Sequence, residues 1–132
     1  MTRPFDGIRV LDFSQVISGP YATELLALQG ADVVKFERPP FGDESRTFCL
    51  DPELIARGAG SAYLSLNAGK RSMALDLKFP EAREIVLRMV ADADVVVENF
   101  RPGVMARLGL DYEAIARVRP DIIYCSISGY GQ

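Results

Sequence analysis

Two hydrophobic patterns alternate along the chain. Short runs of consecutive apolar residues predict buried strands of a parallel sheet, and stretches with apolar positions three and four apart predict helices. The first strand is predicted over 8–13. A loop, 14–18, follows it. Gly19-Pro20 then opens a helix in which Pro20 takes the first helical position, where its missing N–H costs nothing. That helix runs to about Gln29, and Gly30 suits the C′ position. The second strand is predicted over 32–37. Residues 38–69 hold Pro39, Pro40 and several glycines. They read mostly as loop, with short helical pieces near 52–57 and 61–66. A third strand is predicted over 72–77. Pro80 opens the clearest helix, in which Ala82, Ile85, Val86, Met89 and Val90 form one apolar stripe. Val95-Val96-Val97 marks a fourth strand over 94–98. A short helix over 102–108 ends at Gly109, Asp111 N-caps another that ends near Arg119, and the last strand is 121–128.

Five strands joined by helices imply right-handed crossovers. The expected fold is α/β: one Rossmann-like, doubly wound parallel sheet over 1–132, its order reversing beside the first strand. A final strand followed at once by Gly129-Tyr-Gly-Gln132 is odd for a complete domain, where such a strand is normally covered or continued.

Composition narrows the function classes. Lys plus Arg is 15 and Asp plus Glu is 18, a net charge of -3, which does not favour non-specific nucleic-acid binding. No apolar run approaches the roughly 20 residues that cross a bilayer, and the N-terminus has no apolar leader. Cys49 and Cys125 lie far apart and fit free thiols in a reducing cytoplasm. With no histidine in the chain, a histidine base cannot come from these residues.

Open α/β sheets bind ligands beyond the carboxyl ends of their strands. The first strand is followed by residues 14–19, the second by Arg38 and Arg46, and the fourth by Asn99, Phe100 and Arg101, with Arg107 on the next helix. The last is followed by 128–132. Lys70 and Arg71 precede the third strand, so topology puts them at its other end unless the loop folds back. Arg38, Arg101 and Arg107 are sited to meet an anion, and phosphate is the natural partner of a guanidinium. The helix opening at Gly19-Pro20 adds a positive dipole end, and Phe100 offers a flat face to a base. A phosphorylated, nucleotide-like ligand follows. The same arginines also read as solvated surface and Phe100 as core, and G-x-G-x-x-G is absent. Asp12, inside a strand, reads as structural. Glu37, Asp43 and Glu44 have no histidine nearby, Cys49 alone makes no ligand set, and no metal is expected. Cys125 reads as inert packing.

The motifs themselves resemble a known family. Leu11-Asp-Phe-Ser-Gln-Val-Ile-Ser-Gly-Pro20 and the run from Leu25 to Pro39 are similar to the opening of class III CoA-transferases (the CaiB/BaiF type). Gly42-Asp43 with Arg46 comes next. Asn67-Ala-Gly-Lys-Arg-Ser-Met-Ala-Leu-Asp-Leu-Lys78 resembles the family's N-x-G-K-R-S-x-x-L-D-L-K block. Asp94-Val-Val-Val-Glu-Asn-Phe-Arg-Pro-Gly103, Arg107-Leu-Gly and Tyr124-Cys-Ser-Ile-Ser-Gly-Tyr-Gly-Gln132 complete the series. The blocks cover nearly the whole chain in order; only 47–60 is unremarkable.

The resemblance implies transfer of coenzyme A between carboxylic acids, with acyl-CoA and a carboxylic acid as substrates and no permanent cofactor. Gln15, Val16, Ile17 and Ser18 would lie along the CoA thiol arm. Arg38 and Arg107 would hold phosphates, and Leu75, Asp76, Asn99 and Phe100 would border adenine and ribose. The family's nucleophilic aspartate, which passes through an anhydride and an enzyme-CoA thioester, would lie beyond Gln132. This chain alone is therefore expected to be inactive. The resemblance also implies that the chain is the N-terminal part of a larger fold, an interlocked homodimer in the cytoplasm. Two alternatives stand beside it: the family's 2-methylacyl-CoA racemase branch, and a non-catalytic nucleotide-binding or interaction module.

Overall fold

Leu11 and Phe13 face one side of the sheet, and Val10 and Asp12 face the other, as the two-residue period of a strand requires. The computed structural model describes residues 2–132. Among them are five strands: β1 (Arg9–Asp12), β2 (Asp32–Glu37), β3 (Arg71–Ala74), β4 (Val95–Glu98) and β5 (Ile123–Ser126). All pair in parallel, in the order β3-β2-β1-β4-β5. The order reverses beside β1, as expected for a doubly wound α/β sheet. The helices are α1 (Ser18–Leu28), α2 (Pro52–Ala56), α3 (Ser61–Leu66), α4 (Pro80–Val90), α5 (Val104–Leu108) and α6 (Tyr112–Ala116).

The two faces of the sheet differ in chemistry. On one, Leu11, Phe13, Val34, Phe36 and Val96 pack against Val86 and Val90 of α4, Met105 of α5 and Ile115 of α6. Each fully buried side chain of this size contributes about 1.5–3 kcal/mol. The other face packs Val10, Val33 and Val97 against Ala27 and Ala31, but it also buries Asp12, Lys35 and Glu37. Buried charges survive only when paired, and these are paired around one loop.

Several boundaries move from the sequence expectation. α1 starts at Ser18 with Ile17 as its N-cap, so Pro20 is the third helical residue rather than the first. Pro20 is harmless there too, because the first four N–H groups of a helix have no intrahelical acceptor. β3 ends at Ala74, not 77. The Leu75 N–H still reaches the Glu37 carbonyl at 2.9 Å, but Asp76 then accepts from the Lys78 N–H at 3.1 Å and turns the chain towards α4. β1 and β4 are shorter by a residue or two, and β5 ends at Ser126. α5 begins only at Val104, because Gly103 is its N-cap in the left-handed region. Asp111 caps α6 as expected, accepting from the Ala114 N–H at 3.0 Å, though the helix stops at Ala116. Cys125 is a correction: it is exposed on β5, an edge strand, not packed in the core. Among the described residues no helix is long and apolar enough to cross a membrane.

Candidate functional site

The carboxyl ends of β1 and β4 meet where the strand order reverses, and the Phe13 N–H donates to the Val97 carbonyl at 2.8 Å. Asp12, fully buried there, is a framework hub. It accepts from the Ser14 N–H at 2.9 Å, the Ser14 hydroxyl, Thr23 Oγ1 at 2.6 Å and Lys70 Nζ at 3.1 Å. Lys70 precedes β3, yet its side chain folds back to the carboxyl end of β1, where it also donates to the Pro20 carbonyl and Asn67 Oδ1, each at 2.8 Å. Burial pushes the Lys70 ammonium below its usual range, and the Asp12 charge opposes that shift. Gly19 is dictated by crowding, since a Cβ there would lie 2.1 Å from Ser14 Cβ.

The loop 14–18 is held by side chains from three other segments. Asn99 binds the Gln15 main chain and reaches Ser18 Oγ at 3.3 Å. Lys35 Nζ donates to the Ser14 carbonyl at 2.6 Å, and Asp43 accepts from the Val16 N–H. Behind Asp43 stands Glu37. It accepts from Arg46 Nε and Nη2 at 2.6 and 2.7 Å, Ser72 Oγ at 2.7 Å, the Tyr63 hydroxyl at 2.9 Å and the Asp43 N–H at 3.0 Å. Burial alone would raise the Glu37 carboxyl; the Arg46 guanidinium and the other donors outweigh it and hold the group at about 2. Arg46 also donates to the Gly58 carbonyl at 2.7 Å and lies 3.7 Å over the Tyr63 ring. Arg46 is therefore spent inside the fold and leaves the set of cations open to a ligand. Glu37 and Asp43, in turn, are carboxylates neutralised by Arg46 and Lys35.

A cleft of about 540 Å³ opens beside this loop. It brings together five residues expected from the sequence: Gln15, Arg38, Leu75, Asp76 and Phe100. Phe13 and Phe36 stack beneath it with centroids 4.5 Å apart and rings 6° from parallel. Phe100 is half-buried, so it serves both core and wall. The other expected residues sit differently. Asn99 spends its amide on the loop, and Val16, Ile17 and Ser18 stand outside the cleft wall. Arg107 is also outside it, although its α5 neighbours Val104 and Leu108 line it; a Cβ at Gly103 would be 3.4 Å from Arg107 Nη1.

Arg38, Arg101 and Arg107 are exposed, and their guanidiniums have no hydrogen-bond or ion-pair partner among the described residues. Lys78 lines the cleft in the same unpartnered state, and Phe41, 79% exposed, adds an aromatic wall. Sequence reasoning missed both. Lys78 closes the Leu-Asp-Leu-Lys run and was open to notice; Phe41 lies in a Pro/Gly stretch without periodicity. Unpaired cations around an apolar, aromatic-floored cleft suit a polyanion that carries a flat ring.

Residues 5–132 match the sequence profile of CoA-transferase family III. A succinate–glutarate CoA-transferase of Agrobacterium fabrum is 44% identical over 98% of this chain and 33% of its own length. An acetyl-CoA:oxalate CoA-transferase of Acetobacter aceti is 48% identical over 98% of this chain and 32% of its own. A crystal structure of a CaiB/BaiF family protein from Brucella suis superposes with a TM-score of 0.89 at 40% identity, over 99% of this chain and 35% of that one. The chain thus spans about a third of the length of these relatives. Fold, motif order and profile agree: the chain belongs to CoA-transferase family III.

Proposed function

We propose that this chain is the coenzyme-A-binding part of an acyl-CoA:carboxylate CoA-transferase. The observation that carries the reading is the cleft at the switch point, with the unpartnered Arg38 and Lys78 on its wall and Phe100 beside them, in a chain of net charge -3. In this reading Arg38 and Arg107 hold phosphates, and Leu75, Asp76 and Phe100 border adenine and ribose. Residues Gln15 to Ser18 run along the thiol arm. Asn99 fixes that loop as well as bordering the nucleotide. The nucleophilic aspartate lies outside residues 1–132. The Agrobacterium and Acetobacter relatives are CoA-transferases whose names include the dicarboxylates succinate, glutarate and oxalate, which supports transfer over racemisation and a small dicarboxylate as acceptor. The same reading makes the protein a cytoplasmic homodimer with no resident cofactor and no nucleic-acid or membrane partner.

The test is an assay of the full-length protein with succinyl-CoA and acetyl-CoA as donors and oxalate and glutarate as acceptors. Transfer of coenzyme A to an acceptor is the expected result. Absence of both transfer and CoA binding, or α-proton exchange without transfer, overturns the reading.

A further inference from the structure

Val16 is the one residue other than glycine, among the described residues, whose backbone lies in the left-handed region, at φ 68°. A β-branched side chain makes that conformation costly, so it persists only where surroundings enforce it. The enforcing group is Asp43, 27 residues away and fully buried. It accepts from the Val16 N–H at 3.1 and 3.2 Å through its two oxygens. Asp43 also accepts from the Ser45 N–H and hydroxyl at 2.9 and 2.8 Å, and pairs with Lys35 at 2.9 Å. That same ammonium donates to the Ser14 carbonyl. One buried ion pair therefore grips the loop on both sides of Gln15. As a device for stability alone it is poor, because desolvation largely offsets the attraction and apolar pairs of similar size are often more stable. Both Gln15 and Asp43 stand in the cleft wall.

We infer that Lys35 and Asp43 are positioning residues. They hold the Ser14–Val16 backbone in its strained conformation and so present it to the thioester end of the bound substrate. The ligand in this inference rests on the reading above; the grip on the loop does not. Neither residue acts on the reacting atoms.

Two double variants of the full-length protein isolate the effect. Lys35→Met/Asp43→Leu and Lys35→Met/Asp43→Asn both remove the buried charges, so neither leaves one unpaired. They differ little in shape, and only Asn keeps an acceptor oxygen for the Val16 N–H and for the Ser45 N–H and hydroxyl, so exchange at Ser45 is followed as a control for the turn at 43–47. The readouts are amide hydrogen exchange at Gln15 and Val16, CoA affinity by calorimetry, and the separate kcat and KM of transfer. In the Leu variant, exchange at Val16 is expected to accelerate tenfold or more, about the worth of one charge-assisted hydrogen bond, while the strands stay protected. CoA affinity falls about tenfold and KM for the acyl-CoA rises in step. The Asn variant, which keeps the acceptor opposite Val16 but loses the Lys35 donation to the Ser14 carbonyl, is expected to fall between wild type and the Leu variant on each. Equal behaviour of the two variants overturns the inference, as does loss of cooperative folding in both, which would make the pair framework only. A wild-type protein that binds no CoA overturns the functional reading instead, and exchange at Val16 then decides the grip by itself.

Discussion

Asn99 holds Gln15 by both of its main-chain groups, across 84 residues of sequence. The Gln15 N–H donates to Asn99 Oδ1 at 2.8 Å, and Asn99 Nδ2 donates to the Gln15 carbonyl at 2.7 Å. The two residues follow β1 and β4, the strands between which the sheet order reverses. The loop that borders the cleft is thereby registered to the neighbouring strand rather than left to its own turn propensity.

Asn99→Ala removes both bonds. It is expected to cost about 1–3 kcal/mol of stability, measured by the urea midpoint at unchanged m-value. Asn99→Asp keeps the acceptor for the Gln15 N–H but turns a carboxylate oxygen on the Gln15 carbonyl, so it is expected to cost at least as much as alanine. An alanine variant as stable as wild type would show the pair to be dispensable.

Arg38 and Arg107 have no partners in the fold, so their removal should spare stability and hurt binding. Arg38→Ala and Arg107→Ala in the full-length protein are each expected to weaken CoA binding roughly 10- to 100-fold. Stability should stay within about 0.5 kcal/mol of wild type. Calorimetry with unchanged affinity in both variants removes these residues from the site. The wild-type affinity should also fall with rising salt, since these contacts are exposed to solvent screening.

Glu37 makes stability depend on acid. Its carboxyl is held at about 2 in the folded protein, below its ordinary 4.5. The folded state therefore binds the proton more weakly than the unfolded chain. The contribution is complete above about pH 4.5 and is lost as the pH falls through about 2, a loss of about 3 kcal/mol. Denaturant midpoints taken down this range should drop steeply for wild type. In Glu37→Gln, which is less stable at neutral pH, the slope should be shallower.

The 132-residue chain assayed by itself is expected to show no CoA transfer. Of the four carboxylates on the cleft wall, Glu37 is paired with Arg46, Asp43 with Lys35, and Asp76 caps its own turn, which leaves Glu44, a side chain exposed to solvent. Covalent catalysis needs a carboxylate in near-attack geometry with donors aimed at the developing oxyanion. Turnover by the purified chain that survives removal of trace full-length protein would place the nucleophile inside these residues.

How far the sequence reaches is clearest at the strands and at Lys70. The Val95–Val97 run, the apolar stripe of 80–90 and the Asp111 cap rest on short-range patterns, and each lies in the expected element. Strand–helix alternation and the handedness of crossovers then predict a parallel sheet that reverses beside β1. The placement of Arg38 and Phe100 at one cleft was legible for the same reason, because topology sends residues after strands to one end of the sheet, whereas Leu75 and Asp76, inside the expected third strand, were implied by the family resemblance alone. The partners of the charged residues were not legible. Arg46 looked as free as Arg38, and only the packing of α3 against the turn at 44–47 gives it Glu37 and Tyr63. Lys70 reaches Asp12 across 58 residues, Lys35 meets Asp43 in the core, and Val16 adopts φ 68° because Asp43 is there to hold it. Local periodicity encodes which face a residue takes and which element it joins. Which cation a buried carboxylate meets depends on side chains brought together from distant segments, and that is decided by tertiary packing alone.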